Sequence, residues 1–116
     1  MPLITSVMPK ALNDRTKEIL KSGLADIMNK VAGKSESWLM IRFHENDTLY
    51  FRGAKVEDGA IIDIKLIGSL DTNQKKNLVK EICELYAKET YCNKENIYVT
   101  IEEYEGTNWG WNGSTF

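Results

Sequence analysis

The residue with the most unusual chemistry in this sequence is Pro2, directly behind the first methionine. Proline has no backbone N–H and adds little to the start of a strand. Once Met1 is removed, however, the Pro2 nitrogen is a secondary amine, a titratable base carried by the backbone. An α-amine titrates near ~8, and burial lowers that value by disfavouring the protonated form. Such a group can serve as a base at physiological pH, because a base works best with a pKa near the operating pH. Methionine before proline is normally removed, so the base is expected in the mature chain. The usual catalytic vocabulary is otherwise sparse. His44 is the single histidine, followed by the polar Glu45, Asn46 and Asp47, and reads as a surface residue. Cys83 and Cys92 are nine apart, too far for a redox pair and too few for a zinc site. Cys83 falls at an apolar helical position and reads as a buried structural thiol. The expectation is chemistry without metal or cofactor.

Length and charge narrow the partners. A chain of 116 residues makes one domain and buries roughly two-thirds of its unfolded surface. The 15 basic and 17 acidic residues are spread along the chain, for a net charge of −2. No basic stripe emerges, which argues against nucleic acid and anionic membrane as partners. No apolar run reaches bilayer length, and the amino end lacks the pattern of a signal peptide. Synthesis and residence in the cytoplasm are the default.

The elements that must position these residues come as a repeat. At an offset of 59, Ile19, Leu20 and Lys21 align with Leu78, Val79 and Lys80, Leu24 with Cys83, and Ile27 with Tyr86. The halves span about 1–47 and 58–106, with a tail over 107–116. The first half predicts a strand over 3–8 and a helix from Asn13 or Asp14 to Val31, with Gly33 as its C-cap. Leu20, Leu24, Ile27 or Met28, and Val31 keep one face of that helix. A strand over 38–43 follows. The second half predicts a strand over 60–67, a helix capped by Asp71, Thr72 or Asn73 and running to about Glu89, and a strand over 97–103. Leu78, Val79, Ile82, Leu85 and Tyr86 are its inward positions. Leu49, Tyr50 and Phe51 suggest a short edge strand, and the Gly-rich aromatic tail from Trp109 suits a tight hairpin. Two βαβ units make an α+β fold, a four-stranded mixed sheet with two helices on one face. Alternation places Leu39, Ile41, Phe43, Ile62, Ile64, Leu66, Ile97, Val99 and Ile101 under the helices. Trp38, Met40, Arg42, Asp63, Lys65, Ile67, Tyr98, Thr100 and Glu102 fall on the other face. No helix remains to cover that amphipathic face, so a partner subunit is expected there.

In this arrangement the MP start, VAGK (31–34), the Ile67-Gly68 pair, NIYVT (96–100) and the ending GWNGSTF (110–116) resemble the macrophage migration inhibitory factor family of the tautomerase superfamily. The resemblance covers essentially the whole chain, and the ending is its most specific part. It implies a homotrimer with three sheets around a central channel and active sites between neighbouring subunits. The implied reaction is keto–enol tautomerisation of small aromatic α-keto acids, phenylpyruvate-like compounds, and of dopachrome-type substrates. By that resemblance Pro2 is the base and Lys34 holds the substrate carboxylate. Ile67 offers its backbone N–H, Tyr98 comes from the adjacent subunit, and Trp38, Trp111 and Phe116 form an aromatic wall. Thr100 stands where many members have a longer asparagine. Trp109 replaces a commonly smaller residue and narrows the pocket. The CxxC of some members is absent, since residues 56–62 read VEDGAII, and no thiol–disulfide activity is expected.

Taken singly, these residues have plainer readings. Lys34, just past a helix end, answers the macrodipole; Tyr98 and the tail aromatics are interface packing; Ile67 is core. The sequon at Asn112 has no secretory signal to make it usable. The ordered combination favours an enzyme. Two other classes stay open. One is a cytokine-like signalling protein exported without a signal peptide, its partner a cell-surface receptor and its pocket a scaffold. The other is a small-acid binding protein without turnover.

Overall fold

The computed structural model describes residues 1–116. Strand β1 (Pro2–Val7) leads to helix α1 (Asp14–Ala32) and strand β2 (Met40–His44). Strands β3 (Leu49–Phe51) and β4 (Ala54–Val56) form a separate hairpin. The second half is β5 (Ala60–Ile67), α2 (Thr72–Thr90) and β6 (Ile97–Tyr104). The chain closes with β7 (Gly110–Trp111) and β8 (Ser114–Thr115).

The main sheet has the order β2-β1-β5-β6. Strand β1 runs parallel to β2 and antiparallel to β5, while β5 runs parallel to β6. Each parallel pair is joined by a helix crossover. Both helices lie on one face and enclose a core that includes Ile4, Leu20, Leu24, Met28, Ile62, Ile64, Leu66, Leu78, Ile82 and Tyr86. Full burial of each large aliphatic side chain contributes about 1.5–3 kcal/mol.

Local chemistry sets the helix ends. The Asn13 side chain accepts from the Thr16 N–H at 2.8 Å, and Asp71 and Gln74 form a reciprocal capping box at α2. Gln74 Nε2 also donates to the Val31 carbonyl at 3.3 Å, linking the start of α2 to the end of α1. Gly33 closes α1 at φ 66°, with its N–H on Asn29 O at 3.0 Å. The Lys34 N–H follows onto Met28 O at 3.0 Å. These paired bonds terminate the helix and fix the backbone of Lys34.

Four expectations need correction. The strand after α1 begins at Met40, because Ser35 caps a 3₁₀ turn over Glu36–Trp38 and Trp38 and Leu39 stay outside the sheet. The segment Leu49–Phe51 is no edge of the main sheet; it pairs with Ala54–Val56 through Arg52 and Gly53, both at positive φ. The fully buried thiol is Cys92, which donates to Asp58 O at 3.0 Å, whereas Cys83 is half-buried. In α2, Val79 and Leu85 are also only half-buried, flanking the buried line Leu78, Ile82 and Tyr86. The uncovered sheet face is as expected, with Met40 68% and Tyr98 62% exposed.

Candidate active site

The site grows from the amino end of β1. A cavity of about 500 Å³ opens there on the uncovered side of the sheet, within the usual range for small-molecule sites. Met1, Leu3, Met40 and Lys65 belong to its sheet side. Trp38 reaches it from the turn after α1, and Tyr104, Asn108, Trp109 and Trp111 from β6 and the tail. Ser37, Leu39 and Gly110 complete the lining.

The tail is held in place by its own backbone. Phe116 N–H donates to the carbonyls of Gly106 and Trp109 at 3.1 and 3.2 Å. A Cβ on Gly106 would stand 3.0 Å from Phe116 O, so the close approach depends on that glycine. Asn112 and Gly113, at φ 50° and 82°, supply the left-handed turn that pairs Trp111 with Ser114. The result is an aromatic cluster. Trp38 meets Trp111 edge-on at 5.0 Å and Phe116 at 6.3 Å, while Trp111 and Phe116 stack at 6.2 Å. Trp109 packs edge-on against Tyr104 at 5.6 Å. Trp38, Trp111 and Phe116 remain 44%, 53% and 48% exposed, a wall with one face still open.

Polar groups converge beside this wall. Lys34 Nζ donates to Ile67 O at 2.8 Å, and the Ile67 N–H donates to Met1 O at 3.3 Å. Gly68, at φ 100°, turns the chain away, and a Cβ there would lie 3.7 Å from Lys34 Nζ. Pro2 is buried and pairs with Leu66 across β5. The α-amine of Met1 is held below its ordinary range, first by burial and second by the Lys34 ammonium. The Met1 amine is therefore biased toward its neutral form.

The single chain brings together Pro2, Lys34, Ile67, Trp38, Trp111 and Phe116. It does not bring Tyr98 or Thr100 to them. Tyr98 pairs with Ile61, six residues along β5 from Ile67, about 20 Å away. It stands edge-on to Phe51 at 5.3 Å and lines a separate cavity. Thr100 pairs with Asp63, and its Oγ1 donates to Asp63 Oδ1 at 2.5 Å. Sequence reasoning missed Lys65, Met40, Tyr104 and Asn108 as cavity residues. For Lys65 and Met40 the signal was available, since alternation already put both on the face of Ile67. His44 is a surface residue paired with Asp47 at 3.1 Å.

A βαβ-repeat sheet with an amine, a lysine and an aromatic wall at the tip of its first strand defines a tautomerase-type architecture. The chain matches the Macrophage migration inhibitory factor (MIF) family over residues 1–116 and belongs to it. It is 27% identical over 116 residues to the macrophage migration inhibitory factor of Xenopus tropicalis, covering all of this chain and 99% of the relative. A probable tautomerase of Staphylococcus haemolyticus is 40% identical over 50 residues, 43% of this chain and 81% of that protein. That match has the size of one βαβ half. Among solved structures, Leishmania major MIF2 superimposes with a TM-score of 0.91 at 24% identity, covering all of this chain and 97% of that one. A fused 4-OT, described as an asymmetric trimer, has a TM-score of 0.87 at 21% identity over 97% and 94% of the two chains.

Proposed function

We propose that this protein is a keto–enol tautomerase of phenylpyruvate-like aromatic α-keto acids and dopachrome-type compounds. The observation that carries the reading is the depressed α-amine at the cavity mouth, beside Lys34 and against an aromatic wall. Excision of Met1 transfers the amine to the Pro2 nitrogen. It also removes Met1 O from the Ile67 N–H, leaving that donor for a substrate oxygen. Pro2 nitrogen then takes the proton from the carbon beside the keto group and returns it to oxygen, or the reverse. The Lys34 ammonium holds the carboxylate and stabilises charge developing on the enolate. Trp38, Trp111 and Phe116 exclude water and pack on the ring.

Tyr98 and Thr100 reach such a site only from a neighbouring copy. The exposed, uncovered sheet face supports a homotrimer in which each site is completed by the next subunit. Thr100 enters with its hydroxyl already committed to Asp63, so its contact with substrate is the weaker of the two.

The experiment mixes mature protein, its mass verified as lacking Met1, with enol phenylpyruvate and follows the ultraviolet absorbance. Turnover is expected, and Pro2→Gly is expected to reduce it by about two orders of magnitude, the lower range for a positioned base. Turnover unaffected by Pro2→Gly rules out the proline base. Absence of turnover in the mature trimer favours signalling through a receptor, with the pocket kept as scaffold.

A further inference from the structure

Lys65 is the one cationic side chain lining the large cavity, and no carboxylate lines it. It stands on β5 two residues before Ile67, on the same face, so the two Cα atoms are about 7 Å apart. Its cross-strand neighbours are Leu3 on β1 and Glu102 on β6. Glu102 does not pair with it, but accepts from Tyr104 Oη at 2.9 Å. Lys65 takes part in none of the chain's ion pairs. Nor does it stack on a tryptophan, since the single cation–π contact in the chain is Arg52 over Phe51. An unpaired ammonium inside a cavity walled by Trp38, Trp109 and Trp111 is a recognition element.

We propose that Lys65 determines specificity by binding a second carboxylate, at the end of the substrate remote from the keto acid. This assignment rests on the tautomerase reading and deepens it. The keto-acid carboxylate is taken by Lys34 and the Ile67 N–H, the ring lies against the tryptophans, and the distal carboxylate meets Lys65. The preferred substrate class is an aromatic or unsaturated α-keto acid that carries two anionic groups. A cavity of about 500 Å³ has room for the larger molecule.

All three tryptophans of the chain line this cavity, so intrinsic fluorescence reports on it directly. The test titrates mature protein with terephthalate and with benzoate, probes that bind without turning over. Terephthalate is expected to bind roughly tenfold more tightly, the worth of one charge-assisted contact in a partly dry site. Lys65→Met should abolish the preference and Lys65→Arg should retain it. In turnover, Lys65→Met should lower the ratio of kcat/KM for 4-carboxyphenylpyruvate over phenylpyruvate by about the same factor. Equal binding of the two probes by the wild type, or an undiminished preference in Lys65→Met, overturns the proposal. Equal binding is also the result expected if a neighbouring subunit's carboxylate neutralises Lys65, and a fluorescence response to neither probe overturns the proposal as well. A lysine-dependent terephthalate preference in a protein that does not tautomerise phenylpyruvate leaves this binding site standing and removes the tautomerase reading alone.

Discussion

The two βαβ halves build the same frame and give it different ends. Each strand that opens a half, β1 or β5, has a cavity at its amino-terminal end. The two strands are antiparallel, with Pro2 opposite Leu66 and Val7 opposite Ile61, so the cavities lie at opposite ends of the sheet. At β1 the cavity is about 500 Å³, carries Lys65, and is flanked by an amine and Lys34. At β5 it is about 170 Å³ and lined by Leu49, Tyr50, Phe51, Val56, Ala60, Ile61, Asn96 and Tyr98, without a charged side chain. One part of the difference, the amine, is covalent. Strand β5 is entered from the β3–β4 hairpin, so its first nitrogen is an amide, whereas in the proposed reading excision of Met1 frees the Pro2 nitrogen that opens β1. On that reading only the first half of the repeat offers a backbone base.

Retaining one residue ahead of Pro2 should erase that distinction. With the Pro2 nitrogen kept as an amide and Met1 O on the Ile67 N–H, tautomerase activity should fall by at least two orders of magnitude. A mass spectrum paired with the ultraviolet assay measures this, and full activity in a protein retaining Met1 would break the comparison. Lys34→Met comes next, with an expected loss of about 10- to 100-fold in kcat/KM, the range for one charge-assisted contact. It carries a second signature. The Lys34 ammonium lowers the pKa of the Met1 amine, and the same charge beside the mature Pro2 amine is expected to act in the same direction, so removing it should raise that pKa. The neutral amine is the active form, and the acid limb of the kcat/KM profile should therefore move to higher pH. A loss of rate with an unmoved limb would assign Lys34 to carboxylate binding alone. Tyr98→Phe should cost about fivefold, one neutral hydrogen bond. Since Tyr98 lines the other cavity within its own chain, an effect on turnover with an unchanged oligomer mass would join the two cavities across a subunit boundary.

Much of this frame can be read from the residue order, and where it cannot, the reasons are local. Asn13, Gly33 and Asp71 announce the helix ends because a side-chain acceptor or a left-handed residue is needed there and few residues supply it. Strand β5 reads correctly because Ile62, Ile64 and Leu66 alternate with half-buried neighbours over eight residues. The Asn112-Gly113 turn is equally plain. Trp38 misleads because it opens the apolar run that continues through Leu39, Met40 and Ile41 to Phe43 and favours a strand, while Ser35 caps a turn. The β3–β4 hairpin is obscured by Arg52, an uncommon residue at positive φ. In the site, a terminal proline is visible in any listing of residues. Alternation puts Lys65 on the face of Ile67, but its place opposite Leu3 at the cavity follows from the register that sets β5 beside β1, and register is a property of the assembled sheet.

The two halves also differ inside the core, and here the expected effect is smallest. Strand β5 presents Ile62, Ile64 and Leu66 to the helices, whereas β1 presents Ile4 and then Ser6, a polar residue only 1% exposed. Helix α2 answers it, with Tyr86 Oη donating to Ser6 Oγ at 2.7 Å. Burial raises the Tyr86 phenol to about 12, with the Ser6 contact opposing that rise. Removing either partner leaves the other unsatisfied in the core, so Tyr86→Phe and Ser6→Ala should each cost about 1–2 kcal/mol in denaturant unfolding. The double variant should cost less than the sum by about 1 kcal/mol, because neither orphan then remains. The sign with pH follows from the raised phenol. Its contribution is complete below the ordinary value of 10.0 and is lost as pH rises toward about 12. Tyr86→Phe should therefore reduce the alkaline loss of stability across that window. Additive single costs and an unchanged alkaline slope would mean that Ser6 is tolerated in β1 without help from α2.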